Sequence, residues 1–265
     1  MNAASKKAIL IVSFGTSYEN TRKRTIDAIE RDIADAFPVC PVYRAWTSKM
    51  IIAKLKKRDG IIIHTVKEAM EQMLLDGITD VIVQPTHVIN GIENDQMKAD
   101  ALSFRDRFSS IVFGNPLLTT EEDNQAVVQA VAGEFQDMDQ ETALVLMGHG
   151  TEHYANSVYA ALDYRFKDMG HKNIFLGTVE AYPALDSLLR AADSFQPKKI
   201  VLAPFMIVAG DHAHNDMAGD SPDSWVFQFE NAGFEVCPII KGLGEYPGIR
   251  RMYVEHAQKA IDSMK

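Results

Sequence analysis

The chain contains only two cysteines, Cys40 and Cys237, among 265 residues. Small secreted domains that depend on disulfides are usually rich in cysteine, so this low count favours a reducing compartment. Two thiolates also cannot form a four-cysteine metal site by themselves. We therefore expect a cytoplasmic protein without a disulfide framework.

Long apolar runs and an excess of basic residues are also lacking. The longest apolar stretch, Ile200–Gly210, contains Pro204, and the run after Lys7 ends at Ser13, too soon for a secretory segment or a membrane span. Lysine and arginine number 27 against 36 acidic residues, a net charge of −9, which argues against a nucleic-acid binder. We expect neither a membrane nor a nucleic acid as a partner.

Glycine and proline are too scarce for collagen or a low-complexity chain, at 16 and 10 residues. The sequence has no G-x-x-x-x-G-K-[ST] motif, and no G-x-G-x-x-G motif follows a predicted strand, so we expect neither ATP nor a nicotinamide cofactor. The H-E-x-x-H and G-x-S-x-G motifs are absent too, which removes the commonest metalloprotease and esterase signatures.

Short β-rich runs alternate with helical patterns along the chain, as in βα units that build a parallel sheet covered on both faces. The predicted class is α/β. Strands are predicted at Ala8–Ser13, Val42–Trp46, Asp80–Gln84, Ile111–Phe113, Ala143–Met147, Ile174–Thr178, Lys199–Pro204 and Phe234–Cys237. Helices are predicted from Ser17 or Asn20 to Phe37, then near Ser48–Arg58, Thr65–Asp76, Asp95–Phe108, Glu121–Phe135, Tyr154–Asp168, Ala184–Asp193, in a stretch to Ala232, and at Pro247–Met264.

The two halves of the chain follow the same order of elements, which indicates an internal duplication. Gly15-Thr16 follows the first strand of one half as Gly150-Thr151 follows that of the other, and the spacing from Pro85 to Gly91 is repeated from Pro204 to Gly210. We expect an N-terminal half at 1–136 and a C-terminal half at 137–265 that carries a metal site. Ligands of open α/β sheets lie beyond the carboxyl ends of the strands, so we expect these loops to surround one central cleft.

Histidines and carboxylates follow the predicted strands of the C-terminal half. His149 stands between two glycines directly after a strand, where the backbone can turn sharply and expose the imidazole, although a turn histidine bonded to backbone fits the same pattern. His212 and His214 follow the next-but-one strand as an H-x-H pair, an arrangement typical of metal sites and also of polar loops. Glu180 is either a ligand or an acid at a helix start.

Several segments together make the chain resemble the anaerobic cobalt chelatases that act on sirohydrochlorin, over essentially its whole length. They are Val12-Ser13-Phe14-Gly15-Thr16-Ser17, Thr47–Ile52 with Lys54-Leu55, His87–Gly91, Met147-Gly148-His149-Gly150, Val179–Pro183, Val208–Met217 and Asp223-Ser224-Trp225. One departure is His214, which stands where the family pattern has isoleucine.

The resemblance implies two similar α/β halves and ATP-independent insertion of Co²⁺ into sirohydrochlorin or precorrin-2 during anaerobic cobalamin biosynthesis. It implies that His149, Glu180 and His212 bind the metal, with His149 also the proton acceptor and Glu180 part of the catalytic set. We expect substrate contacts from Ser13, Gly15, Thr16, His87 and Glu93. The family also suggests a homo-oligomer.

The chemistry of these residue types agrees with that function. Metalating a tetrapyrrole removes two pyrrole N–H protons, and histidine is a base that works near neutral pH. Imidazole and carboxylate suit Co²⁺ but do not select it from other divalent ions. Three alternatives stay open: iron insertion for sirohaem, a metal-dependent hydrolase that uses the same histidines, and a tetrapyrrole or metal carrier.

Overall fold

The computed structural model describes residues 6–264 of the chain. Its strands are β1 Lys7–Ser13, β2 Val42–Trp46, β3 Asp80–Pro85, β4 Ser110–Phe113, β5 Thr142–Gly148, β6 Ile174–Thr178, β7 Lys199–Pro204 and β8 Glu235–Pro238. Its α-helices are α1 Glu19–Arg24, α2 Ile26–Ala36, α3 Lys49–Asp59, α4 Val66–Leu75, α5 Ile92–Leu102, α6 Glu121–Glu134, α7 Ser157–Asp168, α8 Leu185–Phe195, α9 Trp225–Asn231 and α10 Pro247–Ser263.

The structure divides into two compact units. The first contains residues 6–119 and 247–264, and the second is Thr120–Tyr246. This division differs from the expected halves 1–136 and 137–265, whose outermost residues 1–5 and 265 lie outside the described part. The difference arises because α6 contacts α7 of the second unit, whereas α10 contacts α2, β3 and β4 of the first.

Each unit contains a four-stranded parallel sheet, in the orders β2-β1-β3-β4 and β6-β5-β7-β8. The registers confirm the internal duplication. Val12 of β1 pairs with Pro85 of β3, and the corresponding Met147 of β5 pairs with Pro204 of β7. The α/β class and the two helix-flanked parallel sheets are therefore as the sequence predicts.

The central strands are almost completely buried because both faces of each sheet are covered. Every residue of β5 is buried, as is β1 after its first residue. Such strands carry nearly continuous apolar runs instead of an alternation of apolar and polar residues. The core of the first unit includes Met70 and Met73 of α4, as their helical spacing predicts, and that of the second includes Trp225 and Phe229 of α9.

Helices α3, α4 and α6 begin at polar caps that their sequences supply. The Ser48 hydroxyl accepts a hydrogen bond from the Ile51 amide at the start of α3. Thr65 and Thr120 form capping boxes with Glu68 and Asp123, so that α4 and α6 have two amides satisfied at each start.

Other helix boundaries differ from the predictions. The helix expected to reach Phe37 is two helices, α1 and α2, separated at Thr25, whose hydroxyl donates to the Thr21 carbonyl oxygen at 2.6 Å. The helix predicted at Asp95–Phe108 begins earlier and ends at Leu102, followed by a 3-10 turn at Arg105–Arg107. The stretch predicted to reach Ala232 is a π-helical turn at Ala213–Met217 and then α9.

Helix α10 completes the core of the first unit. Its side chain Tyr253 is fully buried, and the hydroxyl donates to the carbonyl oxygens of Thr86 and His87 at 3.0 and 3.2 Å. These carbonyls follow β3 at the carboxyl edge of the sheet, so one phenol group ties α10 to a loop that the sequence predicts to be functional. Within residues 6–264, no helix is both long and apolar enough to cross a membrane.

We expect Tyr253→Phe to lower the free energy of unfolding by about 1–3 kcal/mol, because the substitution removes the hydroxyl that donates to the Thr86 carbonyl oxygen, whereas the His87 carbonyl oxygen keeps the Leu117 amide at 2.9 Å. Urea denaturation followed by far-UV circular dichroism measures the change. Tyr164→Phe is the matched control, since Tyr164 is exposed, and its expected change is below about 0.5 kcal/mol. Equal changes in the two variants would contradict the role assigned to the Tyr253 hydroxyl.

Candidate metal centre

The sequence-predicted ligands of the second unit meet at the carboxyl edge of its sheet. His149 directly follows β5, Glu180 lies two residues after β6, and His212 lies in the loop after β7. Ligand atoms of these three residues all lie within 4.8 Å of one another. The structure therefore brings together three side chains that are distant in sequence.

Two distances define the arrangement more closely. His149 Nδ1 is 3.5 Å from Glu180 Oε2, and His212 Nε2 is 3.9 Å from Glu180 Oε1. The two imidazole rings stand nearly perpendicular, at 88°, with centroids 4.7 Å apart. Ligands about 2.1 Å from one ion lie about 3.0–3.4 Å apart, so side-chain rotations that turn an imidazole lone pair from each histidine toward a cation would close the set.

The side chains of the set are partly accessible. Their exposed fractions are 45% for His149, 51% for Glu180 and 31% for His212. An ion held there would keep open coordination positions, as in sites that exchange ligands. Two imidazoles and one carboxylate suit the divalent ions from Fe²⁺ to Zn²⁺.

A left-handed turn at Gly150 positions His149. Gly150 has a φ of +87°, and a Cβ there would lie 2.8 Å from the Ala181 amide nitrogen and 2.9 Å from Thr178 Cβ. Glycine is thus required both for the backbone conformation and for the close approach of the neighbouring loop. The sharp turn predicted from the flanking glycines is confirmed.

Backbone pairing continues past the ends of the strands and fixes Glu180 beside His149. The Val179 amide donates to Gly148 O at 3.0 Å, and the Glu180 amide donates to His149 O at 2.9 Å. Helix α8 begins only at Leu185. Glu180 is therefore not an acid in the first turn of a helix, which was the alternative interpretation of this residue.

Asn156 joins the two loops from the other side. Its Oδ1 accepts from the Thr151 amide at 3.0 Å, and its Nδ2 donates to the Tyr182 carbonyl oxygen at 2.6 Å. The Thr178 amide donates to Pro183 O at 2.6 Å and folds the same loop back onto β6. Asn156 thus links the loop that carries His149 to the loop that carries Glu180.

Hydrogen bonds determine which imidazole nitrogen is available in each histidine. His149 Nδ1 lies 2.8 Å from Gly150 O, and His212 Nδ1 lies 2.6 Å from Asp216 Oδ2. A carbonyl or a carboxylate oxygen only accepts, so each Nδ1 carries the hydrogen, and Nε2 has the free lone pair in the neutral ring.

The neighbouring histidines lie outside this set. His153, predicted at a helix start, caps the 3-10 turn Tyr154–Asn156 by accepting from the Ala155 amide at 3.2 Å. His214 is half-buried in the π-helical turn and is not among the three clustered ligands. The structure gives no support to His214 as a fourth ligand.

The residues predicted to contact substrate in the first unit are mostly buried. Ser13 Oγ accepts from Thr86 Oγ1 at 2.8 Å, and Thr16 Oγ1 accepts from the Tyr18 amide at 3.3 Å. Gly15 has a φ of +105° and packs so closely on Trp46 that a Cβ would lie 2.5 Å from the indole ring. The side chains of Ser13 and Thr16 are therefore buried, and Gly15 permits the tight turn after β1.

His87 and Glu93 differ in exposure. The His87 ring is buried, and burial lowers its pKa to about 4, an effect that the nearby Asn94 side chain offsets only in part. Within the described residues, neither ring nitrogen has a hydrogen bond of normal geometry. The expected substrate contact by the His87 ring is therefore not supported. Glu93 is partly exposed in the first turn of α5.

The duplication assigns counterparts to the three ligands. By strand register and loop spacing, Phe14 corresponds to His149, Ser48 to Glu180 and Glu93 to His212. The backbone bonds are repeated too, since the Ser48 amide donates to Phe14 O at 3.2 Å. The two edges thus share the same backbone hydrogen bonds, but the first has Phe14 and Glu93 where the second has histidines.

Sequence reasoning assigned no role to Asp216 or Asn156. The signal for Asp216 is its spacing of four residues from His212, which places both on one face of a helical turn. Asn156 carries no local signal, because its two partners come from separate loops.

Comparison with known proteins is decisive for the family. A family model described as Cobalt chelatase (CbiK) matches residues 7–262. The chain belongs to the cobalt chelatase family. The sirohydrochlorin cobaltochelatase of Salmonella typhimurium is 40% identical over 257 residues, 97% of each chain. The sirohydrochlorin cobaltochelatase CbiKC of Nitratidesulfovibrio vulgaris is 30% identical over 267 residues, 98% of this chain and 92% of the relative.

The architecture of this cobalt chelatase family member agrees with a solved structure. SirB from Bacillus subtilis with Fe³⁺ has a TM-score of 0.67 at 14% identity, with 97% of each chain covered. A likeness at this identity shows the fold alone. The predicted chelatase-like pair of parallel sheets is confirmed at that level.

We expect Gly150→Ala to weaken Co²⁺ binding and to destabilise the second unit by more than the roughly 1–2 kcal/mol that a left-handed alanine costs. The added methyl group would also collide with the Glu180 loop. Gly170→Ala is the control, because Gly170 has a φ of +93° and no atom within 4 Å of the added Cβ. Calorimetric Co²⁺ titration and urea denaturation report the two effects, and identical results for both variants would refute the steric argument.

We expect the buried His87 to make the first unit sensitive to acid. The unfolded chain binds a proton near pH 6.5 and the folded chain only near pH 4, so stability falls as pH decreases through this window. Between pH 7.5 and pH 5 the contribution is about 2 kcal/mol. His87→Met, which copies the counterpart Met206, should lose that much less stability over this interval than wild type in urea denaturation. Parallel pH profiles would contradict the burial of a neutral His87.

Proposed function

We propose that this protein inserts Co²⁺ into sirohydrochlorin without ATP, and that His149, Glu180 and His212 hold the ion before transfer. The observation that carries the proposal is the convergence of these three side chains in a chain that belongs to the cobalt chelatase family. The substrate assignment is supported by two relatives that are named sirohydrochlorin cobaltochelatase.

The ligand set fits delivery better than storage. Three protein ligands leave positions for water and then for tetrapyrrole nitrogens, whereas a closed cage of four ligands would retain the ion. The partial exposure of all three side chains supports access by a large ligand. Histidine and carboxylate bind Co²⁺ without thiolate, which favours exchange to the macrocycle.

Release of the ion also generates the bases that the reaction needs. Each Co–N bond formed to the macrocycle replaces a bond to a protein ligand, and each freed imidazole or carboxylate regains a lone pair. Two pyrrole N–H protons must leave when Co²⁺ enters, and the three freed groups can accept them. His149 is proposed as the first acceptor, and Glu180 as the second member of the catalytic pair.

Side chains near the ligands supply a surface for a flat macrocycle. Tyr182 lies two residues from Glu180, and 69% of its surface is exposed. An exposed phenol ring on a loop fixed by Asn156 suits stacking on a conjugated ring. Among the five residues predicted to contact substrate, Glu93 keeps a partly exposed side chain and stays the strongest of those predictions.

The proposal commits to cobalt over iron because both curated relatives carry a cobalt-inserting name. The two imidazoles and the carboxylate do not select cobalt over other divalent ions. Their affinities follow a general order of metals, so the metal that the cell supplies decides which ion is bound. Precorrin-2 as an alternative substrate, a cytoplasmic location and a homo-oligomer stay predictions.

We expect His149→Ala to lower the rate of Co²⁺ insertion by more than about 100-fold with unchanged far-UV circular dichroism, because even residues behind a ligand commonly contribute 10–100-fold. The assay follows the visible spectrum of sirohydrochlorin with Co²⁺ under anaerobic conditions. His171→Ala is the control, because His171 lies in the second unit outside the ligand set.

Other outcomes would overturn specific parts of the proposal. Full activity of His149→Ala would remove this residue from the site. Sirohydrochlorin binding without a metalated product would indicate a carrier, and insertion of Fe²⁺ but not Co²⁺ would indicate the rival chelatase.

A further inference from the structure

We propose that Asp216 is a positioning residue that fixes His212 with Nε2 facing the metal ion. The inference rests on the proposed function for the identity of the ion, and on geometry for the orientation of the ring. Asp216 Oδ2 lies 2.6 Å from His212 Nδ1, and His212 Nε2 is the nitrogen near Glu180.

The acceptor determines the tautomer of the ring. A carboxylate has no hydrogen to give, so Nδ1 of His212 must carry the hydrogen of this bond. In the neutral ring the lone pair is then on Nε2, at the position from which the ligand set is completed. Without Asp216 the ring could adopt either tautomer and rotate about χ2, and each alternative removes the donor from the metal.

The backbone beneath this pair is anchored in the core. Ala213 and Met217, the residues that follow His212 and Asp216, are both fully buried in the core of the second unit. They lie four residues apart in the π-helical turn, and His212 and Asp216 have the same spacing one position earlier. Two buried contacts thus fix the spacing of two polar side chains, and π-helical turns recur at functional sites.

The two histidines of the set are held by different kinds of acceptor. His149 Nδ1 donates to a backbone carbonyl, that of Gly150, whereas His212 Nδ1 donates to a side-chain carboxylate. A carboxylate behind a ligating histidine orients the ring and strengthens it as a donor, and its loss commonly costs 10–100-fold in metal affinity. The acceptor that holds His212 can therefore be removed by substituting Asp216, whereas the acceptor that holds His149 is part of the backbone.

The competing interpretation is an ordinary surface pair between residues four apart in a turn. Such pairs contribute only a few tenths of a kcal/mol to a helix and leave metal binding unchanged. Asp216 is itself partly exposed, so exposure does not separate the two interpretations. The two interpretations are separated by the tautomer of His212 and by the affinity for Co²⁺.

The first experiment uses the full chain without metal. Histidine side-chain ¹⁵N–¹H correlation spectra at a pH where the ring is neutral report the tautomer, with His212 assigned from His212→Gln. We expect the Nδ1–H form in wild type and in Asp216→Asn, whose amide oxygen still accepts. We expect a shift towards the Nε2–H form in Asp216→Ala. An Nε2–H ring in wild type would overturn the proposal.

The second experiment is calorimetric titration with Co²⁺, accompanied by the Co²⁺ absorption spectrum. We expect the dissociation constant to rise by about 10–100-fold in Asp216→Ala and by less in Asp216→Asn, which keeps the acceptor. Asp220→Asn is the control, an exposed acid in the same loop, with an expected change of less than about twofold.

The outcomes separate this inference from the proposed function. Equal dissociation constants for Asp216→Ala and Asp220→Asn, with strong binding by wild type, overturn the positioning role and leave the function standing. A wild-type protein that fails to bind Co²⁺ overturns the proposed function, while the metal-free spectra still decide whether Asp216 sets the tautomer of His212.

Discussion

The ligand set depends on one constraint, the parallel register of β5 between β6 and β7. Parallel strands end at the same edge of a sheet, so residues that follow different strands become neighbours without a direct link in sequence. Gly148 pairs with Thr178, and Met147 pairs with Pro204. A shift of one residue in either pairing would turn the following loop to the opposite face. Strand pairing within the sheet therefore determines the geometry of coordination at its edge.

The two units show how one backbone supports different surfaces. Their sheets have the same strand order and matching registers, and both first loops turn through a left-handed glycine, Gly15 or Gly150. The side chain before that glycine is Phe14 in one unit and His149 in the other. Because the backbone hydrogen bonds are shared, the difference in chemistry resides in a few side chains that follow the strands.

Much of this organisation was predictable because its causes are local. Apolar runs predict the buried strands, glycines around His149 predict the turn, and equal spacings predict the duplication. The remaining features depend on contacts between distant segments. The break at Thr25 and the burial of His87 follow from packing that no single stretch encodes, and the division into units follows from the return of α10 to the first sheet. The pair of His212 and Asp216 lies between these cases. Its spacing of four residues is visible in the sequence, but its place beside a metal ligand set depends on Glu180, which is distant in sequence.

The position of α10 in the sequence delays completion of the first unit during synthesis. All strands of the first sheet are synthesised before residue 120, yet the helix that contacts β3 and β4 is synthesised after the whole second unit. The first unit therefore cannot complete its core until α10 has left the ribosome, and an apolar face of its sheet stays uncovered while the second unit is being translated.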